Sequence, residues 1–147
     1  MTSDLHMAEK DALDDHVWSE EWFSRWITHL SKTDEGKDGR YRLILNGDFI
    51  DFVQTAPEKF TFDHENAFCT LDESLAKLEV YFDKYKKEME CISGFCELGN
   101  KVDLVLGNHD IDLVWTKVEE GFKTRVHENL NVLQPKEMHL YEDGRVC

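Results

Sequence analysis

Positive charge is scarce in this chain: 17 Lys and Arg stand against 31 Asp and Glu over 147 residues, a formal charge of −14. That balance argues against nucleic-acid or anionic-membrane binding, which needs a basic footprint. It also repels a phosphate-bearing ligand unless divalent cations reverse the field locally. Long hydrophobic runs are missing too, since no stretch approaches the ~20 apolar residues that span a bilayer. No basic segment followed by an apolar core marks a secretory signal, so a cytoplasmic location is expected. The four cysteines, Cys69, Cys91, Cys96 and Cys147, lack C-x-x-C or ribbon spacing and read as free thiols of a reducing compartment. Prolines number only two, and no linker, repeat or low-complexity segment divides the chain. Neither G-x-x-x-x-G-K-[ST] nor G-x-S-x-G occurs, which sets aside P-loop and serine-hydrolase chemistry.

What is present is a globular composition, 41% hydrophobic and 33% charged, in a chain the size of one domain with room for a real core. Residues 1–147 are therefore read as a single domain. Trp18, Trp22, Phe23, Trp26, Ile27 and Leu30 recur at three- and four-residue steps and predict a helix from about Asp14 to Leu30, with Asp14-Asp15 at its N-terminus. Ser31–Arg40 reads as a polar loop. Tyr41–Asn46 and Val102–Leu106 are short and mostly apolar, as in buried parallel strands. Between them Phe68, Leu71, Leu75, Leu78, Phe82, Tyr85, Met89 and Ile92 predict one long helix, with Thr70 and Glu73 as a capping pair. Its heptad-like seam is read as core packing, with a partner-binding seam, and hence an oligomer through residues 68–92, as the alternative. Lys77 and Lys84 are placed where that helix would meet water. A further helix is expected from Ile111 to about Val126, then strands at Asn131–Leu133 and Met138–Tyr141 and a hairpin turn at Glu142–Arg145.

Three strings carry the chemistry: Ser3-Asp4-Leu5-His6, Gly47-Asp48-Phe49-Ile50-Asp51 and Gly107-Asn108-His109-Asp110. Oxygen and imidazole ligands delivered from several strand ends are how a protein builds a site for one or two divalent cations. Asp4 and His6 are two apart, so on extended backbone both point to one face. Asp48 and His109 each follow an apolar strand and a glycine, which leaves them at the carboxyl ends of strands, where open α/β sheets place ligands. Asp51 can turn back toward the same pocket if a helical turn begins there.

In this order the strings resemble the calcineurin-like metallophosphoesterase superfamily, whose blocks are D-x-H, G-D-x-x-D, G-N-H-[DE], then a later His and a G-H-x-H. Asp4/His6, Gly47/Asp48/Asp51 and Gly107/Asn108/His109/Asp110 match the first three, and the wider Leu45–Asp51 and Leu104–Asp110 phrasing is typical of bacterial members. The resemblance implies an α/β fold, a sheet flanked by helices as part of an α-β-β-α sandwich. It implies hydrolysis of phosphate mono- or diesters of small molecules by in-line attack of a metal-bound hydroxide at a dinuclear site. Asp4 and His6 would bind the first metal, Asp48 would bridge both, and Asn108 would bind the second. His109 would act as general acid, with Asp51 orienting its ring. The donor set suits manganese, iron or zinc.

No G-H-x-H occurs, and His127-Glu128 lacks the later histidine of a zincin. His16, His29 and His139 are read as structural or surface residues, and His64 as surface, with a place bordering the substrate pocket as the alternative. Only Met1 and Thr2 precede Ser3-Asp4, while Val146-Cys147 opens a return strand, so the chain is expected to be a fragment cut at both ends. A second class of function stands beside the enzyme: a binding protein that keeps the scaffold and uses the 68–92 seam and the tryptophan-rich first helix as contact surfaces.

Overall fold

The apolar runs around Leu43 and Leu104 are strands β1 (Arg42–Asn46) and β2 (Lys101–Val105), and Leu130–Leu133 is β3. The computed structural model describes residues 5–7, 20–55, 57 and 70–134. The strands form a parallel sheet in the order β1-β2-β3, with Leu43 opposite Val102 and Leu104 opposite Val132. Parallel neighbours need long crossovers. Helices α3 (Leu71–Lys84) and α4 (Lys86–Glu97) lie between β1 and β2 in the chain, and α5 (Thr116–Val126) joins β2 to β3. Helix α1 (Glu20–Lys32) and the single turn α2 (Asp34–Lys37) precede β1. The fold is thus α/β, a small three-stranded parallel sheet flanked by helices, with Val102 and Leu104 of the central strand fully buried.

Local chemistry accounts for the helix ends. Thr70 caps α3, its hydroxyl accepting the Glu73 N–H at 3.3 Å, and Asp72, Glu73 and Lys84 complement the helix dipole. On α1 the buried hydrophobic side chains among the described residues are Phe23 and Ile27, while Trp22 is 54% exposed and stacks on Trp26 at 5.5 Å, outside the apolar stripe expected of it.

Four expectations are corrected. The helix over residues 68–92 is two helices, broken at Tyr85 (φ −110°, ψ 30°). The break lets α3 pack on α5 while α4 packs on α1. Leu78, Tyr85, Met89 and Ile92 of the heptad-like seam are therefore spent in the chain's own core. Lys77 does not meet water: it is 2% exposed, with its ammonium 3.4 Å from Glu73 one turn back. The segment from Ile111 opens as a 3-10 turn, Ile111–Val114, and α5 starts only at Thr116, which leaves Val114 and Trp115 exposed. The Ser31–Arg40 loop holds α2, capped by Thr33, whose hydroxyl accepts the Gly36 N–H at 3.0 Å.

Buried polar groups fix the sheet. Asp103 of β2 is fully buried and reaches Arg42 of β1 at 2.5 Å and Asn131 of β3 at 2.9 Å, one carboxylate across all three strands. Asn100, also fully buried, donates to the carbonyls of Gly36 and Phe95 and accepts the Tyr41 N–H. Such pairing is what makes a buried polar group tolerable. Among the described residues no helix is long and apolar enough to cross a membrane. The expected start of the first helix at Asp14, Phe68, the strand at Met138–Tyr141 and the hairpin at Glu142–Arg145 lie outside the described residues, as do Cys69, Cys147, His16, His64 and His139.

Candidate metal centre

Beyond the ends of β1 and β2 the chain makes two glycine turns that lie against each other. Gly47 (φ +76°) donates to the Val105 carbonyl at 2.9 Å. At Gly107 a Cβ would come within 2.2 Å of the Asp48 carboxylate and 2.5 Å of the Asp48 nitrogen, so only glycine permits this approach. Leu5-His6-Met7 runs alongside residues 48–51 and not alongside a strand of the sheet. The His6 N–H donates to Asp48, Met7 N–H to Phe49, and Asp51 N–H to Met7, all between 2.8 and 3.1 Å. His6 and Asp48 both hold φ near +48°, at 47° and 48°. Left-handed backbone is uncommon for residues other than glycine, and such strain collects at functional sites.

This scaffold brings side chains from all three strings together. Asp51, fully buried, lies between two imidazoles: Oδ1 is 2.9 Å from His109 Nδ1, and Oδ2 is 3.2 Å from His6 Nδ1. The expected helical turn at Asp51 is absent; Oδ1 instead accepts the Gln54 N–H at 2.9 Å in a side-chain turn. The two rings meet edge to face at 4.6 Å. Asp48 accepts the His109 N–H through Oδ1 at 3.0 Å and holds Oδ2 3.9 Å from His6 Nε2. Asn108 is exposed between Gly107 and His109, and Asp4 lies outside the described residues. The contact of His6 with Asp51 has no sequence signal, because 45 residues separate them. Asp110 was legible only as the last letter of its string, yet it is fully buried, with Oδ1 on the Ile50 N–H at 2.7 Å and Oδ2 on the Gly107 N–H at 2.9 Å.

The donor set fits a divalent cation. His6, Asp51 and His109 each offer a ligand atom, all within 4.8 Å of one another. His109 Nδ1 is buried without a well-angled hydrogen bond, although Asp51 Oδ1 is close. A ring nitrogen left so among carboxylates is a natural partner for a cation or a relocated proton. The triad differs from the ligand set that the resemblance implies, sharing only His6 with it. Asp48 borders the triad and offers a further oxygen. Compared with protein-family models, with curated proteins and with solved structures, the chain gives no match in any of the three.

Electrostatics separate the titrating groups. Burial works against charging Asp51, but His109, the Gln54 N–H and His6 outweigh it and hold its pKa below the ordinary carboxylate value. Burial would lower His109, yet the Asp51 carboxylate beside its Nδ1 and the charges of Asp48 and Asp110 raise it above 6.5. Burial pushes Asp110 up to about 6 against the pull of the Ile50 and Gly107 N–H groups. The contribution of Asp51 to stability is thus present above its unfolded pKa and lost as pH falls through the lowered folded value. Those of His109 and Asp110 are present below their unfolded values and lost as pH rises through the folded ones, above 6.5 and about 6. In EDTA the protein is expected to melt at a higher temperature at pH 5 than at pH 8, with the difference reduced in Asp110→Asn. A melting temperature that rises from pH 5 to pH 8 would contradict this assignment.

Proposed function

We propose that the protein is a metal-dependent phosphoesterase hydrolysing small-molecule phosphate mono- or diesters, with two divalent cations (manganese, iron or zinc) held around His6 and Asp48. The observation that carries this reading is the meeting of His6, Asp48, Asp51 and His109 at one end of the sheet, from strings 40 and more residues apart. Asp4, His6, Asp48 and Asn108 would hold the metals, and the sheet would be one half of the α-β-β-α sandwich. Bound there, the cations supply Lewis-acid polarisation of phosphoryl oxygens and a water of lowered pKa.

The chain's own residues do the rest. His109, its pKa raised above the ordinary histidine value by Asp51 and the nearby carboxylates, is the proton donor to the departing alkoxide. Asp51, between the two rings, orients them and keeps its charge. Asp48 anchors the His109 backbone, so the acid and the metal-side carboxylate move as one unit. The acidic surface makes the cations necessary on a second ground, since without them the field opposes a phosphate.

The test is hydrolysis of p-nitrophenyl phosphate and bis-p-nitrophenyl phosphate by the full-length protein with Mn²⁺, Fe²⁺ or Zn²⁺. Activity that depends on the metal and disappears in EDTA is expected. A protein that binds metal stoichiometrically and hydrolyses neither ester, nor any alkyl phosphate, would overturn the proposal.

A further inference from the structure

We propose that Asp110 is the positioning residue of this site, tying its three strings into one geometry through a single buried carboxylate. Its two oxygens each accept one backbone N–H, from Ile50 at 2.7 Å and from Gly107 at 2.9 Å. Gly107 begins the turn that carries Asn108 and His109. Ile50 lies between Asp48 and Asp51 and makes the parallel bridge to Met7, next to His6. His6, Asp48, Asp51 and His109 are therefore each within two residues of a backbone atom held, directly or through one bridge, by Asp110.

Chemistry explains why an acid stands here. The position is fully buried and meets two donors. An ionised carboxylate accepts without donating, whereas an asparagine turns an NH₂ toward one of the two N–H groups. A serine or alanine would leave at least one buried donor without its acceptor. The result of such a loss is displacement of one loop against the other, and small misplacements of reacting groups are costly to rate. A neighbouring acid, Asp112, offers a matched comparison. It is 2% exposed and accepts the Ser74 hydroxyl at 2.6 Å, so it ties the 3-10 turn to α3 and not to the site.

The kinetic arm of the test rests on the phosphoesterase reading, and the spectroscopic arm does not. In the full-length protein, Asp110→Asn is expected to lower kcat at saturating Mn²⁺ on the order of 10²-fold with KM changed far less. Asp110→Glu, which keeps both acceptors one methylene further out, is expected to lose less. Asp112→Asn should melt earlier than the parent yet keep kcat within about twofold, because its carboxylate holds the Ser74 hydroxyl and no group of the site. By NMR, Asp110→Asn should move the His6 and His109 ring signals and the amides of Asp48 and Asp51, while those of α5 and β3 stay in place. Site signals that do not move in Asp110→Asn would overturn the assignment, as would equal kcat losses in Asp110→Asn and Asp112→Asn or in the Asn and Glu variants. An inactive parent protein would count against the phosphoesterase reading alone, and the ring and amide signals would still decide the role of Asp110.

Discussion

With His109 replaced by glutamine, kcat for phosphoester hydrolysis by the full-length protein is expected to fall by about 10²–10⁴-fold, the range for loss of a positioned general acid. The substitution is clean in one respect: the link between Asp48 and residue 109 runs through the backbone N–H at 3.0 Å, so it survives the change of side chain. Divalent-cation affinity should therefore change little. The loss should also depend on the leaving group. A p-nitrophenolate departs without a proton, so its ester should lose far less activity than an alkyl phosphate. Equal losses for the two esters would remove the acid role from His109. A fall in Mn²⁺ affinity matching the fall in rate would make His109 a ligand, in line with the close grouping of its Nδ1 with His6 and Asp51. Isothermal titration and a leaving-group series separate these outcomes.

The strand ends were legible because the residues there obey short-range rules. Leu43-Ile44-Leu45 and Leu104-Val105-Leu106 are apolar enough to demand burial, and each leads to a glycine next to hard ligands. Less visible was the polar tie within the sheet, where Asp103 joins Arg42, 61 residues away, and Asn131, 28 residues away. The break at Tyr85 carries no glycine or proline, so no local preference announces it, although α3 packs on α5 and α4 on α1 either side of it. The same holds for Lys77, whose burial depends on Glu73 and on elements packed over α3. At the centre, sequence order named His6, Asp48, Asp51 and His109 as candidates. It did not reveal that His6 and Asp48 sit in left-handed backbone, since no glycine marks either position. Nor did it reveal that Asp51 serves both imidazoles, a contact that exists only because residues 5–7 lie against residues 48–51.

Asp48 is the second position where a large effect is expected, and two substitutions there separate charge from backbone. Its φ of +48° is left-handed, a conformation that asparagine tolerates and alanine resists. Asp48→Asn can keep both the turn and an oxygen for the His109 N–H, losing only the negative charge that faces His6 Nε2 at 3.9 Å. Its melting temperature should stay near that of the parent, while Mn²⁺ affinity falls by more than about 100-fold, beyond what supporting residues around a metal usually cost. Asp48→Ala should lose metal to the same extent and also fold less stably, by about 1–2 kcal/mol from the left-handed backbone, with the loss of an acceptor for the His109 N–H added to that. Calorimetry of both variants in EDTA, beside Mn²⁺ titration, reads the two effects independently. If Asp48→Asn binds Mn²⁺ as tightly as the parent protein, the carboxylate is there to hold the turn and the cation lies elsewhere. If it loses the metal and keeps the fold, the strained backbone at Asp48 exists to aim a charge, and the glycine at 107 exists to let that charge approach the neighbouring turn.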